Sequence, residues 1–138
     1  MYYIEINFNN VNKFNFMKII SVIPVRGGSK GIPRKNLVKI CGKTMLEYSI
    51  NASQKSKLVN RTIVCTEDKK IARVAKKLKS EIIMRPKNLA TDEMLAEPSI
   101  ELVLNELKEK ENFIPDLLFF YKTHHHLEML KILMEVLK

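Results

Sequence analysis

The chain is predicted to fold as an α/β domain around a mostly parallel sheet, and three features carry that expectation. Runs rich in β-branched and other apolar residues recur at Lys18–Val25, Val59–Cys65, Glu81–Met84 and Asp116–Phe120. Between them lie segments whose apolar residues return at helical spacing, as Ile71, Val74, Ala75 and Leu78 do. The first run ends abruptly in a glycine-rich, cationic loop from Arg26 to Asn36. Strands alternating with helices imply βαβ units, right-handed crossovers and ligand sites outside the carboxyl ends of the strands.

Lys18–Val25 reads as a buried parallel strand, being β-branched and closed by turn formers. The loop that follows suits an anion. Gly27, Gly28 and Gly31 permit turns closed to other residues and bring backbone N–H groups near a ligand, while Arg26, Lys30, Arg34 and Lys35 add positive charge. A polyphosphate is the natural guest, with a solvated basic turn as the alternative. Two familiar phosphate motifs fail on spacing. Gly42-Lys43-Thr44 resembles the end of a P-loop, but Leu37 stands where its first glycine belongs, and Gly27-Gly28-Ser29 breaks the dinucleotide fingerprint.

Leu37–Ile40 is expected to be extended, and Cys41-Gly42 to turn the chain before Thr44 caps a helix running to about Lys55. Its inner face is assigned to Met45, Leu46, Tyr48, Ser49 and Ala52. After the second strand, Thr66 is the expected helix cap, with Glu67 and Asp68 in the first turn against the helix dipole; catalytic carboxylates are the alternative there. Arg85-Pro86 ends the third strand, because proline lacks an N–H and disfavours helix before it. Pro98 suits a first helical turn, and Ile100, Val103, Leu104 and Leu107 make the inner face of a helix ending near Lys110. Arg26 and Arg85 each follow a strand directly, so one crevice can take both.

The chain has 138 residues, 46% of them hydrophobic, enough for one modest core. Its formal net charge of +9 suits nucleic acid, an anionic membrane or a phosphorylated small molecule. The last fits best. The cations are spread over helix faces as well as the loop, and aromatics make up only 7%, too few for a base-stacking platform. No apolar run reaches the roughly 18 residues that span a bilayer, so no membrane partner is expected. Cys41 and Cys65 lack metal-ligand spacing and are read as reduced, buried, small apolar residues of a cytoplasmic protein. His124, His125 and His126 are adjacent, so they point in different directions and do not converge on a metal.

The complete segment Pro24-Val25-Arg26-Gly27-Gly28-Ser29-Lys30-Gly31-Ile32-Pro33-Arg34-Lys35-Asn36 resembles the opening of the acylneuraminate cytidylyltransferases, the CMP-sialic acid synthetases. That opening is a strand followed by Pro-x-Arg-x-Gly-Ser-Lys-Gly-Ile-x-x-Lys-Asn. Val64-Cys65-Thr66-Glu67-Asp68, Arg85-Pro86 and Leu89-Ala90-Thr91-Asp92 follow in the family's order, so the resemblance covers about 17–120. It implies a Rossmann-like three-layer sandwich of the nucleotide-diphospho-sugar transferase type, and transfer of CMP from CTP to an acidic nine-carbon sugar with release of pyrophosphate. It also implies catalytic roles for Arg26, Lys35 and Asn36, and nucleotide contacts from Arg26, Gly27, Gly28, Ser29, Lys30, Lys35, Asn36 and Arg85. In the family, Mg2+ is held by aspartates of the second half, and a segment there completes a homodimer. Both are expected to be missing here, which leaves the chain a truncated form with little or no activity alone. A non-catalytic nucleotide-binding module, or half of a split enzyme, is the second reading, and a small basic nucleic-acid-binding protein the third.

Residues 1–16 are expected to be an extension ahead of a start at Met17, with an added edge strand as the alternative. Residues 121–138 depart from the family. Where it reads Leu-Gln-x-Thr-Ser-Pro-Leu-Arg, this chain reads Tyr121-Lys122-Thr123-His124-His125-His126-Leu127-Glu128. Those residues can be encoded as TAC AAA ACA CAT CAC CAC TTA GAA, whose frame from the third base reads Gln-Asn-Thr-Ser-Pro-Leu-Arg. Loss of one T within the Phe119-Phe120 codons accounts for the shift, the alternative being a divergent helix from Leu127 to Leu137. Sequencing the gene is expected to show codons compatible with that reading; incompatible codons at Tyr121–Glu128 would reject it.

Overall fold

The computed structural model describes residues 16–28, 31, 33–90, 97–120 and 131–133. Strand β1 (Ile19–Pro24) leads into a turn at Lys35–Leu37, a hairpin of β2 (Lys39–Ile40) and β3 (Lys43–Thr44), and helix α1 (Met45–Lys55). Then come β4 (Arg61–Thr66), α2 (Lys69–Lys77), β5 (Glu81–Met84), α3 (Glu97–Glu111), β6 (Leu117–Phe120) and β7 (Lys131–Leu133). The main sheet has the order β5-β4-β1-β6-β7, with β1, β4, β5 and β6 parallel and β7 antiparallel to β6. This is the expected α/β architecture.

The period of two along the strands sorts the core into two faces. Ile20, Val22, Ile63, Cys65 and Ile83 pack on Ile100, Val103 and Leu107 of α3. Ile23, Val25 and Val64 pack on Leu46 and Ile50 of α1 and on Ile71 and Ala75 of α2. Helices on both faces explain why the strands read as continuous apolar runs rather than alternating ones. Chain order runs outward from β1 to β4 and β5, then returns across it to β6. That reversal puts the topological switch point beside β1, where open α/β sheets bind ligands.

Several local expectations are corrected. Strand β3 was not foreseen. Cys41 and Gly42 both have positive φ, 51° and 83°, and join paired Ile40 and Lys43, which makes a two-residue type I′ hairpin turn. On α1, which Thr44 caps by accepting from the Glu47 N–H at 3.0 Å, the buried positions are Leu46, Ile50 and Ser53; Tyr48 and Ala52 are exposed. Tyr48 donates its hydroxyl to the Ile40 carbonyl instead, and Ser53 shares a 2.7 Å hydrogen bond with Thr62, which turns the inner face toward that partner. Thr66 ends β4, and the cap of α2 is Asp68, whose carboxylate accepts from Lys70 and Ile71. Cys41 sits exposed on the hairpin turn while Cys65 is buried. Residues 131–133 are strand, against the helix considered for Leu127–Leu137, and the rest of 121–138 lies outside the described residues, as do 1–15.

At the amino ends of the strands, Arg61 donates to Glu81 at 2.5 and 2.8 Å and to Glu111 at 2.8 Å, while its guanidinium lies 4.7 Å from the centre of the Phe113 ring. Its hydrogen bonds to the two carboxylates hold its pKa above the ordinary arginine value. The clasp ties β4, β5 and the end of α3 together, far from the carboxyl ends of the strands. No helix among the described residues is long and apolar enough to cross a membrane.

Two outcomes follow from the backbone and the thiols. Helix α2 ends in a Schellman arrangement, Ser80 N–H to Ala75 carbonyl and Lys79 N–H to Lys76 carbonyl, with exposed Lys79 at φ 60°, a position that favours glycine. Lys79→Gly is expected to stabilise the fold by about 0.5–1 kcal/mol, read as a higher denaturation midpoint; a loss would contradict the assignment. Burial pushes the Cys65 thiol up to about 11, so a thiol reagent is expected to label Cys41 within the folded protein and Cys65 only on unfolding.

Candidate functional site

The loop after β1 is rooted by three bonds to its own peptides. The sheet ladder continues one step through Val25 N–H to the Cys65 carbonyl at 2.9 Å. Gly27 then donates its N–H to Glu67 Oε1 at 2.5 Å and accepts from the Arg34 N–H at 3.1 Å. A Cβ built on Gly27 would lie 2.2 Å from Asp68 Oδ2, so this glycine is required by the close approach of the β4–α2 corner. The expected backbone contact from Gly27 to a nucleotide therefore meets a peptide whose N–H and carbonyl are both bonded inside the protein.

Arg34 closes the loop. It adopts left-handed backbone, φ 48°, and its Nε donates to Asp68 Oδ2 at 3.1 Å. Asp68 thus caps α2 with one oxygen and holds the loop with the other. Burial alone would raise its pKa, but hydrogen bonds from the Ile71 and Lys70 amides and the Arg34 charge outweigh it, leaving the carboxyl below its ordinary range. The next residues form a 3-10 turn, with Leu37 N–H donating to the Arg34 carbonyl at 2.8 Å. Lys35 is exposed on it, whereas Asn36 is 2% exposed and its Oδ1 has no hydrogen-bond partner among the described residues. A buried acceptor left in that state is costly unless something supplies a donor.

Arg85 lies at the carboxyl end of β5, two strands from β1, and its N–H extends the ladder to the Thr66 carbonyl at 2.9 Å. Its guanidinium is buried. Nε donates to Glu67 Oε2 at 3.1 Å and Nη1 to Ser99 Oγ at 2.7 Å on α3. The two arginines expected to share a crevice do leave the same end of the sheet, but Arg85 reaches the loop through Glu67.

Of the residues singled out from sequence, Arg26, Gly27, Gly28, Lys35 and Asn36 fall on this one loop, with Arg26 half-buried and Gly28 exposed. Ser29 and Lys30 lie outside the described residues. Glu67 and Asp68 were considered as catalytic carboxylates but assigned to a helix start, Arg34 was read only as a loop cation, and Ser99 was not foreseen. The signal for the first two was present, since Thr66-Glu67-Asp68 ends a strand adjacent to β1, but a helix cap explained the same residues.

No group of three or more His, Cys, Asp or Glu among the described residues is arranged to hold a metal ion. The nearby carboxylates do not fit magnesium. Glu67 is taken by Gly27 and Arg85, and Asp68 by the helix amides and Arg34.

A family model described as Cytidylyltransferase matches residues 20–114. The chain is 33% identical over 96 residues to the N-acylneuraminate cytidylyltransferase of Escherichia coli O18:K1:H7 (strain RS218 / NMEC), covering 70% of this chain and 23% of that protein. It is 31% identical over 108 residues to the pseudaminic acid cytidylyltransferase of Campylobacter jejuni subsp. jejuni serotype O:23/36 (strain 81-176), covering 78% and 47%. Among solved structures, CMP:2-keto-3-deoxy-manno-octonic acid synthetase complexed with CTP has the same fold, with a TM-score of 0.61 at 22% identity over 77% of this chain and 40% of that one. The chain spans less than half the length of these relatives. The resemblance seen in the loop thus extends from β1 through α3, and the chain belongs to the cytidylyltransferase family.

Proposed function

We propose that this chain is the CTP-binding part of a nucleotidyltransferase of the CMP-sialic acid synthetase type, whose reaction transfers CMP from CTP to an acidic nine-carbon sugar. The carrying observation is the cationic loop at the end of the central strand, beside the switch point, in a chain of the cytidylyltransferase family. Its named relatives act on N-acylneuraminate and pseudaminic acid. That range supports an acidic sugar as acceptor.

In the proposed reaction the sugar's anomeric hydroxyl attacks the α-phosphorus of CTP, the bond to the bridging oxygen breaks, and pyrophosphate leaves with the electron pair. Charge accumulates on the phosphoryl oxygens and the leaving group, so fixed cations nearby favour the transition state. Arg26 and Lys35 are assigned that role, with Lys30 a further candidate from the sequence. The buried Asn36 side chain is assigned a hydrogen bond donated from its amide N–H to an α-phosphate oxygen of the nucleotide. Magnesium, which the family is expected to use, has no fitting ligand set among the described residues. The same fact favours a second reading, nucleotide binding without transfer by this chain alone.

Calorimetric titration is the direct test. The wild-type chain is expected to bind CTP, and Arg26→Ala or Lys35→Ala to weaken it by about tenfold or more, since a charge-assisted contact contributes about 1.5–3 kcal/mol. Equal affinity in both variants would remove the loop from the nucleotide site. Binding to DNA or RNA that falls steeply with salt, in place of CTP binding, would select the nucleic-acid reading.

A further inference from the structure

Glu67 is an acid beneath a loop of cations, and its two oxygens are engaged by groups that follow two different strands. One oxygen takes the Gly27 N–H at 2.5 Å and the other takes Arg85 Nε at 3.1 Å. Both side chains of the ion pair are buried, at 10% and 6% exposure. Arg85 is held in turn by Ser99 on α3. A single carboxylate therefore connects the root of the loop, the ends of β4 and β5, and the start of the third helix.

Two consequences follow for an anion arriving at the loop. A phosphate oxygen sharing the Gly27 N–H would come within contact distance of the Glu67 carboxylate, and like charges at that range in a poorly solvated place repel strongly. Gly28, by contrast, is exposed, and a Cβ built on it would meet nothing within 4 Å. The backbone open to an anion begins one residue later than the glycine run suggests. Meanwhile Arg85 pairs with Glu67, so the buried acid is compensated from the side away from the loop.

We propose that Glu67 is the positioning residue of the anion loop. It takes the Gly27 amide permanently, sets the loop's angle to the sheet through Arg85 and Ser99, and leaves phosphate to be met from Gly28 onward. The proposal rests on the nucleotide reading given above and adds to it which group shapes the site.

The test uses the full chain labelled with 15N-glycine, whose four glycines give four amide resonances. The Gly27 amide is expected to exchange with solvent far more slowly than those of Gly28 and Gly31, and to stay slow when CTP is added. In Glu67→Gln the side-chain oxygen can serve Gly27 or Arg85 but not both, so the Gly27 resonance is expected to shift and CTP affinity to fall about tenfold in protein shown to be folded by circular dichroism. Gly27 exchange as fast as that of Gly28, or unchanged affinity in folded E67Q, overturns the proposal. Should E67Q not fold, Ser99→Ala removes only the Arg85 anchor; about threefold weaker CTP binding is expected, and unchanged binding overturns the proposal equally. Failure of the wild-type chain to bind CTP would instead sink the nucleotide reading, with the exchange rates still deciding the Glu67 bond.

Discussion

A carboxylate placed between a peptide N–H and a guanidinium fixes the geometry of this molecule's working end. Glu67 is too buried to stand alone, because an unpaired charge in that position loses several kcal/mol of hydration. Its two oxygens must both be matched, and the chain matches them with groups from opposite directions, Gly27 after β1 and Arg85 after β5. Once those bonds exist, the ends of three adjacent parallel strands have one mutual arrangement. The loop is then a rigid extension of the sheet at its root.

The adjoining acid works in a different way. Asp68 spends one oxygen on the first amides of α2 and offers the other to Arg34, so the start of a helix and the close of the loop share a single side chain. This sharing demands that Gly27 have no side chain, since the carboxylate stands where a Cβ would be. The glycine run thus mixes two causes. Gly27 answers to packing from below, while Gly28 leaves open space above.

Regular structure was legible in the sequence because helices and parallel strands leave periodic apolar signatures. The four parallel strands and the three helices fall where β-branched runs and 3.6-residue spacing put them. What escaped was set by pairing across the chain. Tyr48 looked like an inner-face residue until its hydroxyl was found on Ile40, and Ser53 is buried because Thr62 receives it. Thr66 and Asp68 are equally good caps by residue type; the strand's length chose between them. At the site, the cations of the loop and the Glu67-Asp68 pair were both visible in the sequence, but their bonding to each other was not, since nothing local links residue 27 to residues 67 and 85. That link exists only because β4 lies between β1 and β5.

The far end of the sheet holds the opposite kind of construction. Arg61, clasped by two glutamates and covered by the Phe113 ring, binds a strand to its neighbour and to the tail of α3 with side chains alone. No glycine is involved, and no backbone group is held open. With Arg61 at one end and Glu67 at the other, β4 and β5 are tied by side chains at both ends of their shared ladder, and α3 is joined to the sheet at its first turn and at its last. A slip of either strand by one residue would break both charged junctions at once, so register in this half of the sheet is guarded twice.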